Sequence, residues 1–200
     1  MMTTCWRDEH VLEELESEAA DLYANGDYRA ALAEFSVLRE VRARRDGPYS
    51  KSYLTDLLGS VRCMAKLERW ADLEPISAEF YNKYLRTHPA ADAISVEAAT
   101  WLAWAKSRTG QAGAAADLYL RAADALVRVG DDTGALPLLR AGSNQVRALV
   151  EADPLPALLD RIAALAGSAR LAELARSLMP AGTDDEHSHP GDAAANAAQV

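Results

Sequence analysis

Residues 25–35 read NGDYRAALAEF, and a related run returns at a fixed interval of 42 residues. In the aligned copies Gly26, Glu68 and Gly110 share one column, Tyr28, Trp70 and Ala112 a second, and Ala31, Leu73 and Ala115 a third. Phe35 matches Tyr119, while Ser77 interrupts that column. A fourth step reaches ADPLPALLDRI, residues 152–162, where Asp153, Ala157 and Leu158 match Asp27, Ala31 and Leu32, although Pro154 and Pro156 intrude. A constant stride in the range of about 20–50 residues marks stacked supersecondary units, none of which can bury its apolar face alone. The stride therefore predicts an array rather than two independent domains.

The units are helical. Apolar residues recur at helical spacing, and strand-like alternation of β-branched and aromatic residues is nearly absent. Leu12, Leu15, Ala19, Leu22 and Tyr23 make the stripe of a first helix over about 8–24, and Asn25-Gly26-Asp27 turns the chain into a second over about 28–45. Gly47 and Pro48 end that helix, one by taking a left-handed conformation and the other by lacking the amide the ladder needs. Further pairs follow at about 50–66 with 70–86, 92–108 with 112–129, and 133–151 with 155–166. Ser50 or Ser52 caps the second pair, Pro89 closes it, and SARLAELARSLM is suited to lie across the last exposed face. Residues 1–7 are expected to be a flexible lead-in, 8–179 the repeat domain, and 180–200, small, polar and charged, a disordered tail.

Composition narrows the function. A net charge of −9 and a pI near 4.9 oppose a direct electrostatic grip on nucleic acid. Two cysteines, Cys5 and Cys63, are too few and too badly spaced for a disulfide framework or a zinc site, which fits a reducing cytoplasm. The start, MMTTCWRDEHVLEELE, lacks the basic-then-apolar order of a secretory leader, and no apolar run is long enough for a membrane span.

A helix pair with Gly26, Asp27 and Tyr28 at its turn, Ala31 three residues on and Phe35 four beyond resembles the tetratricopeptide repeat (TPR). The longer unit here, with linkers RARRDGPYS and YLRTHPAAD, is similar to the kinesin-light-chain-like variety found in bacterial regulatory and signalling proteins, over roughly residues 8–166. The resemblance implies an all-α, right-handed α-solenoid of three to four repeats plus a capping helix. It also implies a scaffold that binds a protein or peptide along its concave groove, with no chemistry and no cofactor of its own.

In that register the first helix of each pair lines the groove. Glu13, Glu16 and Tyr23 would face it from repeat one, Thr55, Leu58, Arg62 and Lys66 from repeat two, and Glu97, Thr100, Trp104 and Arg108 from repeat three. Tyr23, Leu58, Arg62, Lys66, Glu97, Trp104 and Arg108 are the candidate partner-binding residues: an aromatic anchor flanked by cations suits an extended acidic segment. An aromatic at helical spacing is more often core, which is the competing reading of Trp104. The chaperone-binding subclass of these repeats grips a carboxylate with a Lys and an Asn one turn apart; Glu16 and Ala20 stand there instead, which argues against it.

Other clusters have plainer readings. Arg39, Arg42, Arg44 and Arg45 end a helix, where cations complement the macrodipole, with a phosphate or acidic partner as the alternative. Glu9, Glu13, Glu14, Glu16 and Glu18 read as a solvated acidic face near a helix start. His187 and His189, beside Asp184, Asp185 and Glu186, fall in the expected tail and make no ordered metal site; His10 and His88 are isolated. No phosphate-cradling loop or nucleophile elbow is present. The sequence thus points to a cytoplasmic adaptor for another polypeptide, with neither nucleic acid nor membrane as direct partner. A stand-alone peptide-sensing regulatory module and an enzyme-accessory protein are the rivals, and self-association stays open.

Overall fold

A computed structural model of the chain describes the backbone of residues 3–151 and 153–179, with side chains from His10 onward. Within these residues the chain forms nine helices: α1 (Thr3–Ala24), α2 (Tyr28–Arg45), α3 (Lys51–Lys66), α4 (Trp70–Tyr84), α5 (Ala93–Arg108), α6 (Ala112–Arg128), α7 (Asp132–Arg147), α8 (Pro154–Ala164) and α9 (Ala169–Leu178). Each helix packs on the next in the chain, and α3 also touches both α1 and α5. That order builds a stack of hairpins, α1/α2, α3/α4, α5/α6 and α7/α8, in which the second helix of each packs on the first helix of the next. The expected capping segment is α9, which lies against α6 and α7 as well as α8. The segment expected to be a tail, with His187 and His189, lies outside the described residues.

The stride survives in the coordinates. The second helices of the four hairpins begin at Tyr28, Trp70, Ala112 and Pro154, 42 residues apart each time. First helices keep that interval between Lys51 and Ala93 and then shorten it, because only three residues, 129–131, separate α6 from α7. Helix α1 starts at Thr3, ahead of the expected residue 8. The prolines of the fourth copy begin a helix rather than damage one: Pro154 opens α8, where its missing amide would have had no partner, and the Asp153 side chain accepts from Leu155 N–H.

The turns inside the first three hairpins share one geometry. Gly26 and Gly110 sit at φ +84° and +82°, and Glu68, in the same column, is held at +54°. In each, the residue after the turn donates its amide back across five residues: Asp27 to Leu22 at 2.9 Å, Arg69 to Met64 at 3.0 Å, Gln111 to Lys106 at 2.8 Å. This is the Schellman closure, which satisfies carbonyls a helix end leaves open. Side-chain caps from Asp27, Ser50, Asp92, Asp131 and Ser168 start α2, α3, α5, α7 and α9, whereas α4 and α6 begin without one. Of the two serines that could cap α3, Ser50 does so.

Burial falls into three clusters along the stack. Leu12, Ala19, Leu32, Phe35 and Leu38 pack the first hairpin; Tyr53, Leu57, Val61, Leu73 and Phe80 pack the second; alanines and leucines of α5 to α9 fill the third. A charged pair sits among them. Arg42, read in sequence as a helix-end cation complementing the dipole, is 2 % exposed. Its Nη1 donates to both oxygens of the fully buried Asp56 at 3.0 and 3.1 Å, and its Nη2 to Glu16 Oε2 at 2.8 Å. The guanidinium thereby ties α1 and α2 to α3, so the helix-dipole reading is corrected for this residue. Arg44 and Arg45 are exposed, and their guanidiniums meet Glu40 and Asp46.

Candidate functional site

The face shared by α3 and α5 collects most of the groove residues. A bidentate ion pair crosses it: Arg62 Nε and Nη2 each donate to Glu97 at 2.7 Å. Trp101, one turn beyond Glu97, adds its indole N–H to the same carboxylate at 3.1 Å. The hydrogen bonds from Arg62, outweighing burial, hold the Glu97 carboxyl below its ordinary range, so the pair is charged and fixed. Arg62 and Glu97 therefore form a rung between two repeats. A partner must meet their edges, since each already occupies the other's best hydrogen-bonding face.

Tyr23 stands half-buried at the same side of α1, edge-on to Tyr28 with ring centroids 5.3 Å apart. Burial pushes its phenol up from the ordinary value, against the opposing field of Arg62. Lys66 is exposed at the end of α3. Leu58 departs from the expected register: it is 7 % exposed and belongs to the second core cluster. The reason is crowding, because α3 lies between α2 and α4 and touches α1 and α5, leaving little of its circumference free. Glu16, expected in the groove, turns to Arg42 instead.

The strongest feature is aromatic. Trp104 is 42 % exposed, so the core reading of this residue fails. Its ring lies 4.9 Å from Trp70 and stacks at 5.5 Å on Trp101, and the Arg108 guanidinium sits 5.4 Å over Trp70. Three indoles and one cation thus make a preformed patch in which Trp104 stays partly open to solvent. Sequence reasoning chose Trp104 and Arg108 but left out Trp101 and Trp70. Trp101 and Trp104 are one turn apart, which was available as a signal; Trp70 was visible only as the turn aromatic of repeat two.

Elsewhere among the described residues, chemistry is sparse. Cys63 is fully buried, and desolvation pushes its thiol up to about 11, which keeps it protonated and unreactive. His10 is exposed beside Glu14, and His88 stacks on Tyr84 at 3.8 Å. No helix among the described residues is long and apolar enough to cross a membrane.

No protein-family model and no curated protein matches the sequence. Among solved structures, the chain is similar to a Podosopora anserina protein described as a kinesin light chain with nearly identical TPR-like repeats. The identity is 14 %, the TM-score 0.49, and the match covers 84 % of this chain and 94 % of that one. A single-substitution variant of that fungal protein gives the same identity and TM-score, with 92 % of its chain covered. Such distant likenesses add no weight of their own. The chain is a TPR-like stack of helical hairpins, and the order, stride and turn geometry of its own helices carry that statement.

Proposed function

We propose that this chain is a protein-interaction scaffold, without chemistry of its own, whose partner segment lies along the face shared by α3 and α5 and is anchored on Trp104. The observation that carries the reading is the tryptophan patch: a large indole left 42 % exposed yet held in place by Trp70 and Trp101. Preordered aromatics bind with little entropic cost to the receptor, and interface energy concentrates on such anchors. Arg108 sets a positive charge against the patch, and Lys66 is exposed at the end of α3, on an otherwise acidic chain. The partner favoured by this chemistry is an extended polypeptide carrying an apolar residue next to carboxylates, with Tyr23 and the Arg62–Glu97 rung extending the contact. A cytoplasmic role in bacterial regulation or signalling rests on the resemblance of the repeats alone.

The test is capture of partners from the native cell with the full chain and with Trp104→Ala. The expected result is loss of partner with unfolding stability unchanged within about 0.5 kcal/mol, as for an exposed side chain. Undiminished capture, or equal loss of partner and stability, would reject Trp104 as the anchor.

A further inference from the structure

A second candidate site lies away from the tryptophan patch, where the end of α4 and the start of α5 meet α6 and the α8–α9 turn. The four segments leave a half-open cavity of about 330 Å³, at the lower end of the size range of small-ligand pockets. Its body is apolar, lined by Leu85, Leu120, Ile162, Leu165 and Leu171. Ser95 and Trp104 are nine residues apart on α5, about 14 Å along the helix axis, so the two sites are separate.

Three polar groups on this wall are unspent. Ser95 is 1 % exposed, yet its hydroxyl has no hydrogen-bond partner among the described residues. A buried hydroxyl without a partner is costly, and native structures retain few of them. Tyr81 lines the cavity, and burial pushes its phenol up from the ordinary value against the field of Arg121, so it stays a neutral donor. Arg121 is exposed on the same wall and makes no ion pair with any described residue. By contrast, Asp124 and Arg128, also on the wall, are consumed: Asp124 accepts from Arg128 and from Ser168 N–H, and Arg128 donates to Ala166 O. Among the described residues, subtracting that internal pair leaves one free cation and two hydroxyls over an apolar pocket.

We propose that this cavity binds a small amphiphilic carboxylate, its apolar body among the leucines and its carboxylate on Arg121, with Tyr81 and Ser95 as hydroxyl donors. A carboxylate complements a guanidinium and two O–H donors, whereas a cationic or purely apolar ligand would leave Arg121 or the hydroxyls unanswered. The site is independent of the tryptophan patch, so failure of either reading leaves the other standing.

Calorimetric titration of the full chain with octanoate, and with octanol as the uncharged analogue, tests it. Saturable one-to-one binding of octanoate is expected, with octanol about tenfold weaker, the size of one charge-assisted contact. Arg121→Gln, a change at an exposed residue, should weaken octanoate by a similar factor. Ala125→Phe, which fills the cavity, should abolish binding, and Trp104→Ala should leave it unchanged. The proposal is overturned if octanoate shows no saturable binding or binds no better than octanol. It is equally overturned if Arg121→Gln or Ala125→Phe binds octanoate like the parent, or if Trp104→Ala removes the binding.

Discussion

Between the first and second hairpins the chain buries charge; between the third and fourth it buries methyl groups. At the first joint Arg42 reaches from α2 into a pocket shared by Asp56 and Glu16, with both Arg42 and Asp56 sealed from water. At the second, Ala115, Ala116, Ala122 and Ala123 of α6 share one buried apolar cluster with Ala135, Leu138 and Leu139 of α7, and Gly142 of α7 lies against Leu120. A stack whose units touch only their neighbours can compose each joint separately, which is why two such unlike interfaces coexist under one repeat. The difference lies in tolerance. An alanine seam loses a little packing when altered, whereas a buried ion cluster fails sharply if one member is removed.

Removing Arg42 is thus expected to have the largest effect. Arg42→Met leaves Asp56 without its counter-ion and should cost about 3–5 kcal/mol at pH 8, read from the urea midpoint. Adding Asp56→Leu should recover most of that loss, since an apolar pair of similar size needs no compensation. Continued loss in the double variant would mean that the cluster also fixes the geometry of the joint. Asp56 carries a pH signature too. Burial, aided by the negative Glu16 and opposed by Arg42, pushes its carboxyl up to about 7 from 3.8. The folded chain therefore holds a proton in that window which the unfolded chain has released. The contribution of Asp56 to stability falls as pH rises from about 4 to about 7 and levels off above. The stability of the parent relative to Asp56→Asn, followed by denaturant titration across that range, should show this decline; a flat difference would mean that Asp56 is ionised throughout.

Two helix-interior glycines separate the joints again, with smaller effects. A Cβ on Gly59 would lie 2.7 Å from three ring atoms of Phe35, across the α2–α3 contact. At Gly142 it would lie 3.1 Å from Leu120 Cδ2, across the α6–α7 contact. Alanine gains about 1 kcal/mol over glycine inside a helix. Gly59→Ala should nonetheless destabilise, because the buried ring cannot turn aside and overpacking costs about 1–3 kcal/mol. Gly142→Ala should be closer to neutral, because the nearest atoms, Leu120 Cδ2 and Cγ at 3.1 and 3.2 Å, need give by only a few tenths of an ångström. Thermal melts that rank the two the other way would reverse the view of which joint is the rigid one.

How much of this was legible in the string depended on distance along the chain. Hairpins, turns and stride are local: each rests on a residue and its neighbours within one turn, so Gly26, Asp27, Gly110 and Asp153 announced them. The burial of Arg42 is set by partners 14 and 26 residues away, which no local rule pairs. One clue was present: Arg42 continues the stripe of Phe35 and Leu38 at spacings of three and four, so it points where the apolar side chains point. Leu58 misled for the converse reason. Its register suited a groove, but α3 is enclosed by four other helices, and enclosure is a property of the stack. The tryptophan patch was half visible, because Trp101 and Trp104 share a helix while Trp70 arrives from the hairpin turn before it. The Arg121 cavity brings α6 together with the end of α4, the start of α5 and the α8–α9 turn, which no local spacing pairs.

The smallest effect should be the same in both halves, and that equality tests whether the contrast belongs to the joints alone. Glu68 in repeat two and Ala166 after α8 are both held at φ +54°, in closures where Arg69 N–H returns to Met64 O at 3.0 Å and Gly167 N–H to Ile162 O at 2.9 Å. A left-handed conformation costs an L-residue about 1–2 kcal/mol, part of which glycine gives back by loosening the unfolded chain. Glu68→Gly and Ala166→Gly should therefore each stabilise by about 0.5–1 kcal/mol, and Gly110→Ala, where a Cβ would meet nothing within 4 Å, should lose a similar amount. Matching gains from urea midpoints would mean that turns contribute a common increment per repeat while the joints carry the individuality. A gain at Glu68 alone would mean that the charged joint also strains the turn beside it, through the ten residues of α3 that separate Asp56 from its end.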